Sequence, residues 1–147
     1  MVHQIDFVYI KATGGSDFID PKFEVNYSNA DSSEIPVGFY HFFIFDEDGE
    51  DQANNFLSSV KGKKIDLPLV LDVEDWGKNL LTFKSTDEIV VQIERFIEIV
   101  EKDLGKRIMI YTNESGFKKY IKGQFDGNEI WICSFSNPPN IHDGWTF

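Results

Sequence analysis

Five runs in this chain read as strands, and the segments between them carry helix signals. The runs are IDFVYIKAT (5–13), IPVGFYHFF (35–43), LPLVLDVE (67–74), RIMIYT (107–112) and EIWICSF (129–135). They are rich in β-branched and aromatic residues, and the first is almost continuously apolar, as a strand covered on both faces requires. Asp20 followed by Pro21 opens a short helix expected to reach about Ala30. In DEDGEDQANNFLSSV (46–60), Ala53, Phe56, Leu57 and Val60 share one helical face. Ser85 and Glu88 have capping-box spacing, and Ile89, Ile93, Phe96, Ile97, Val100 and Leu104 keep helical period until Gly105 stops the helix. ESGFKKYIK (114–122) predicts a further short helix, and WTF (145–147) a strand cut short. Strands alternating with helices define the α/β class, with a parallel sheet or a β/α barrel.

The chain is long enough for one domain, 1–147, with a sizeable core: 147 residues, 41% hydrophobic and 15% aromatic. Its net charge of −11, from 25 acidic and 14 basic residues, argues against nucleic acid, anionic membranes and acidic polymers as partners. Cys133 is the single cysteine, so no intrachain disulfide can form. Three histidines (His3, His41, His142) make no zinc motif with it, and no glycine-rich phosphate loop occurs. No run is long enough to span a bilayer, and no basic-then-apolar signal peptide opens the chain.

LVLDVEDWG (69–77) is the unusual stretch, because it places Asp72, Glu74 and Asp75 at the end of a buried strand. In β/α barrels the working residues sit at such C-terminal ends. Side chains alternate along a strand, so Asp72 and Glu74 point to one side, their Cα atoms roughly 6.6 Å apart. Two carboxylates about 6 Å apart repel by roughly 2.8 kcal/mol at an effective dielectric of about 20. That is about two pKa units, enough for one acid to keep its proton near neutral pH while the other ionises. Glycoside hydrolysis needs such a pair: an acid for the leaving oxygen and an anion beside the developing cation. The same two acids could instead cap a helix, pair with Lys or Arg, face water, or hold Mg²⁺ or Ca²⁺. Asp75 points the other way and reads as structural.

IKAT (10–13), VGFYHFF (37–43), QANNF (52–56), LPLVLDVE (67–74), MIYTN (109–113) and WICSF (131–135) together resemble glycoside hydrolase family 25, the muramidases called Chalaropsis-type lysozymes. The resemblance covers nearly the whole chain. It implies a modified β/α (TIM-like) barrel that cleaves the β-1,4 bond between N-acetylmuramic acid and N-acetylglucosamine in peptidoglycan. Glu74 would be the general acid, and Asp72 would stabilise the oxocarbenium-like state or orient the substrate's own acetamido group. Tyr40, Phe42, Tyr111 and Trp131 would line the groove, where rings stack on sugars. Their alternative is ordinary barrel filling. Phe135 shares the face of Trp131 and Cys133. His41 faces away from Tyr40 as a packed core histidine, Cys133 is inert packing, and Lys11 pairs with a nearby acid. No metal or organic cofactor is implied.

The chain departs from that family in three places. A G-I-D-V-S-like opening strand and a W-Q-Y-like closing segment are missing, which implies truncation at both ends and the absence of the first and last strands. Gly14 stands where a Glu commonly follows K-A-T. Open sheet edges of that kind invite self-association. The parent protein is expected to act outside the cell or in the cell wall, on peptidoglycan glycan strands. A catalytically weak or inactive peptidoglycan-binding domain is the alternative function, and a metal-dependent phosphodiesterase a more distant one.

Overall fold

A computed structural model describes residues 5–135, 138–141 and 144–146. The chain order is β1 (Val8–Gly14), β2 (Phe18–Ile19), α1 (Phe23–Ser32), β3 (Val37–Phe42), α2 (Gly49–Val60), β4 (Val70–Val73), a 3-10 turn (Gly77–Leu81), α3 (Thr86–Leu104), β5 (Met109–Asn113), α4 (Glu114–Gly116) with a π-helical turn (Phe117–Ile121), and β6 (Ile130–Cys133). One sheet runs in the order β2-β1-β3-β4-β5-β6. All its pairings are parallel except that of the two-residue β2 against β1.

Alternation gives this sheet two different faces. Phe39, Leu71, Val73, Ile110 and Ile132 join one apolar core with Phe56 and Val60 of α2 and Ile93, Phe96 and Val100 of α3. The other face carries Tyr9, Tyr40, Val70, Asp72, Tyr111 and Trp131. The described strands form an open sheet, not a closed barrel, yet it curls strongly. Tyr9 on β1 and Trp131 on β6 have three strands between them, but their ring centroids lie 5.7 Å apart.

A β-bulge in β1 sorts residues between these faces. Lys11 pairs with Tyr40 while Thr13 pairs with His41, so Ala12 is the extra residue. Lys11 therefore goes with Tyr40, and Thr13 turns under the helices, where its Oγ1 lies 2.8 Å from His41 Nδ1.

The helix ends follow local chemistry. Ser85 and Glu88 form the expected capping box, and Gly105 ends α3 at φ 65°. Asp48 caps α2 by accepting from the amides of Glu50 and Asp51. In α2, Ala53, Phe56 and Val60 are buried and Leu57 is partly so.

Several boundaries differ from expectation. Helix α1 starts at Phe23, because Asp20 Oδ1 accepts from the Lys22 amide (2.8 Å) and holds residues 20–22 in a turn. The 114–122 segment widens into a π turn in which the Lys122 amide bonds the Phe117 carbonyl at 2.9 Å. Its first turn is pressed against the strand ends: a Cβ on Gly116 would meet Thr112 Oγ1 at 2.4 Å and the Val73 carbonyl at 3.0 Å. Trp145 and Thr146 form no strand, although the Thr146 amide bonds the Ile130 carbonyl at 2.7 Å. Phe147, like His3 and His142, lies outside the described residues. No described helix is long and apolar enough to cross a membrane.

Candidate active site

Strand β4 supplies the floor of the groove. Val70 and Asp72 project from it in register with Tyr40 and Phe42 of β3 and with Met109 and Tyr111 of β5. Tyr111 in turn pairs with Trp131 of β6, their rings meeting edge to face at 5.1 Å. Tyr9, Tyr40, Val70, Asp72, Glu74, Tyr111 and Trp131 together enclose a cavity of about 350 Å³. Both expected acids and three of the four expected aromatics are thus brought together.

Phe42 is the exception among the expected binding residues. It does not line this cavity, and its ring instead supports Lys11, whose Nζ lies 5.4 Å from the Phe42 centroid and 5.5 Å from that of Phe18. The expected partner of Lys11 was an acid, but no ion pair of the described residues includes it; rings hold it as a cation–π contact. Phe135 also leaves the expected face, because β6 ends at Cys133 and Phe135 is 96% exposed.

Asp72 is the most perturbed acid. It is only 8% exposed, and its Oδ1 finds no hydrogen-bond partner. Burial pushes its pKa up to about 8, helped by the charge of Glu74 and a hydrogen bond with it, while Lys11 pulls the other way. Asp72 therefore keeps its proton at neutral pH, beside the Glu74 carboxyl. Glu74 is partly exposed at the groove, and the Asn113 side-chain amide lies 3.5 Å from its Oε2.

Tyr40 and Tyr111 stay protonated. Burial raises Tyr40, reinforced by Asp72, Asp20 and Glu74. Burial also raises Tyr111, followed by a hydrogen bond with Cys133 and the charges of Glu74 and Asp72. Both phenols can therefore donate to substrate oxygens. Asp75 faces elsewhere, as expected: Ser115 Oγ and Lys119 Nζ donate to its Oδ2 at 2.6 and 2.8 Å. Burial alone would raise Asp75, but hydrogen bonds from Lys119, Ser115 and Asn113 outweigh it and hold the carboxyl below its ordinary value.

Two contributors escaped the sequence reading. Tyr9 closes the groove against Trp131, and the alternation Phe7, Tyr9, Lys11 was its signal. Buried Asn79 had no signal, since its role depends on partners far along the chain. Its Oδ1 accepts from the Phe45 amide (2.9 Å), and its Nδ2 donates to the carbonyls of Phe43 (2.8 Å) and Glu74 (2.9 Å). That anchors the backbone of Glu74. Among the described residues no group of three or more His, Cys, Asp or Glu is placed to hold a metal ion.

Two acids one pleat apart, at the C-terminal end of a central strand and walled by aromatic rings, have the make-up of a glycoside hydrolase site. The chain belongs to glycosyl hydrolases family 25, whose sequence pattern it matches over residues 2–147. It is similar to a solved family 25 glycosyl hydrolase from Bacillus anthracis, with TM-score 0.88 and 36% identity, covering 97% of this chain and 66% of that one. It is 30% identical over 156 residues to lysozyme M1 of Streptomyces globisporus, covering 97% of this chain and 53% of that protein. It is 33% identical over 154 residues to the N,O-diacetylmuramidase of Chalaropsis sp, covering 96% and 73% respectively. The chain spans about half the length of the first curated relatives it matches.

Proposed function

We propose that residues 1–147 form a single, partial catalytic domain of a muramidase that hydrolyses the β-1,4 bond between N-acetylmuramic acid and N-acetylglucosamine. The observation carrying this reading is the pair of carboxyls that β4 brings to one groove, Asp72 buried in its floor and Glu74 facing the cavity. Glu74 receives a proton from Asp72 and delivers it to the glycosidic oxygen as the bond breaks. Asp72 is left as a carboxylate beside the cationic sugar, where it steadies the charge or orients the acetamido group that attacks the anomeric carbon. Tyr40 and Tyr111 donate hydroxyls to the sugar at this subsite, and Trp131 offers a ring for stacking. Peptidoglycan glycan strands are the partner, and the parent protein acts outside the cell or in the wall. Self-association through the sheet edges is a secondary property, opposed by the shortness of β2 and by the bond of Thr146 to β6.

The test is digestion of purified peptidoglycan by this chain and by Glu74→Gln, with products read by mass spectrometry after borohydride reduction. The expected result is reduced muramic acid ends from the parent and a loss of at least about 10²-fold in the variant. Equal binding of glycan by both proteins with cleavage by neither would support the binding-domain reading instead.

A further inference from the structure

The structure assigns to Asn113 the role of positioning residue for Glu74, an inference that rests on the muramidase reading for its catalytic meaning. Asn113 ends β5 and begins α4, and its Oδ1 accepts from the Gly116 amide at 2.8 Å. An amide N–H can bond only to the oxygen of an Asn side chain, so this cap fixes which way the group faces. Nδ2 is thereby turned toward β4, where it lies 3.5 Å from Glu74 Oε2 and also reaches the Asp75 carboxyl.

The cap cannot drift. Gly116 is packed against Thr112 Oγ1 and the Val73 carbonyl, and Thr112 Oγ1 donates to that same carbonyl at 2.6 Å. Lys119 and Ser115 tie the following turns to Asp75. Asn113 therefore holds Glu74 from the end of β5 and offers a donor that strengthens as Glu74 becomes anionic. Such a donor favours release of the proton to the leaving oxygen.

Other charged or titratable groups around the pair are Asp72, Tyr40, Tyr111 with Cys133, Lys11, Asp20, and Asp75 with Lys119. Asn113→Asp and Asn113→Ser replace none of them, although both also remove a donor to the Asp75 carboxyl, and both keep an oxygen for the cap. The Asp variant replaces the donor by an anion, while the Ser variant removes it. Two readouts are needed. One is the pH profile of kcat/KM on soluble glycan fragments. The other is the carbon-13 titration of the Glu74 carboxyl, assigned by its disappearance in Glu74→Gln.

In Asn113→Asp the alkaline limb of the profile and the Glu74 titration both move up by about one pH unit, with a smaller move in Asn113→Ser. An Asn113→Asp protein whose Glu74 titrates as in the parent overturns the assignment, even if its melting temperature has changed. If the parent cleaves no glycan, the muramidase reading fails, and the carboxyl titration still decides the role of Asn113.

Discussion

The two faces of the central sheet solve the same problem in opposite ways. On the covered face, His41 is fully buried and every polar atom of its ring is bonded. Thr13 Oγ1 donates to Nδ1 (2.8 Å), and Nε2 donates to Gln52 Oε1 (3.2 Å). Gln52 is itself held by the Ile44 backbone at 2.8 and 2.9 Å, which sets its orientation. On the open face, Asp72 is nearly as buried, but one oxygen is left without a partner. Burial lowers His41 to about 4 and raises Asp72 to about 8, so both stay uncharged near neutrality. The covered face satisfies its polar groups and gains stability. The open face keeps one unsatisfied, as a site that must meet a ligand does.

The largest effect expected from breaking this contrast is on the covered face. Phe96 is fully buried, with ring centroids 4.9 Å from His41 and 6.0 Å from both Phe43 and Phe56. Phe96→Ala should lose about 3–5 kcal/mol in denaturant unfolding. A loss under about 1 kcal/mol would mean the covered face is not the stabilising one.

Next is the pH dependence of stability, where the two faces pull against each other. His41 has a folded pKa below its unfolded value near 6.5, so its contribution is lost as pH falls from there through about 4. Asp72 has a folded pKa above its unfolded value near 3.9, so its contribution is present below that value and lost as pH rises to about 8. Asp72→Asn removes the second effect alone. The variant should exceed the parent by at least about 1 kcal/mol at pH 8, with the gap closing toward pH 4. Its activity should fall, since the proton held by Asp72 is gone. A gap constant across this range would show that Asp72 does not titrate as described.

The smallest effect sharpens the open face. A Cβ on Gly38 would meet Tyr9 Cε1 at 2.3 Å, so Gly38→Ala must shift that ring away from its place against Trp131. The expected outcome is a severalfold rise in KM with a stability loss of about 1–2 kcal/mol. An unchanged KM would remove Tyr9 from the substrate-facing wall.

The covered face was largely legible from sequence, because helical period and caps are local signals. Ile89, Ile93, Phe96 and Val100 were placed by spacing alone, and Ser85 and Gly105 bounded their helix. Asp72 and Glu74 were legible because strand alternation sets their shared side. The resemblance brought in Tyr40, Tyr111 and Trp131. What stayed hidden depends on distant contacts. The bulge at Ala12 is a mismatch between two strands, the anchoring by Asn79 needs Phe43 and Phe45, and the partners of Lys11 are rings from β2 and β3. Nothing near these residues in sequence announces such pairings.

The contact between Tyr9 and Trp131 also has a consequence for how the protein is made. It joins positions 9 and 131 of 147, and so closes one of the longest loops the chain contains. Contacts of such sequence separation form late. Synthesis delivers the N-terminal strands first, so β1, β3 and β4 can pair while β6 is still inside the ribosome. A nascent chain would therefore hold its acids on β4 with the far wall of the groove still missing. The groove closes only once β6 has paired, so a pocket this local in space is among the least local in sequence.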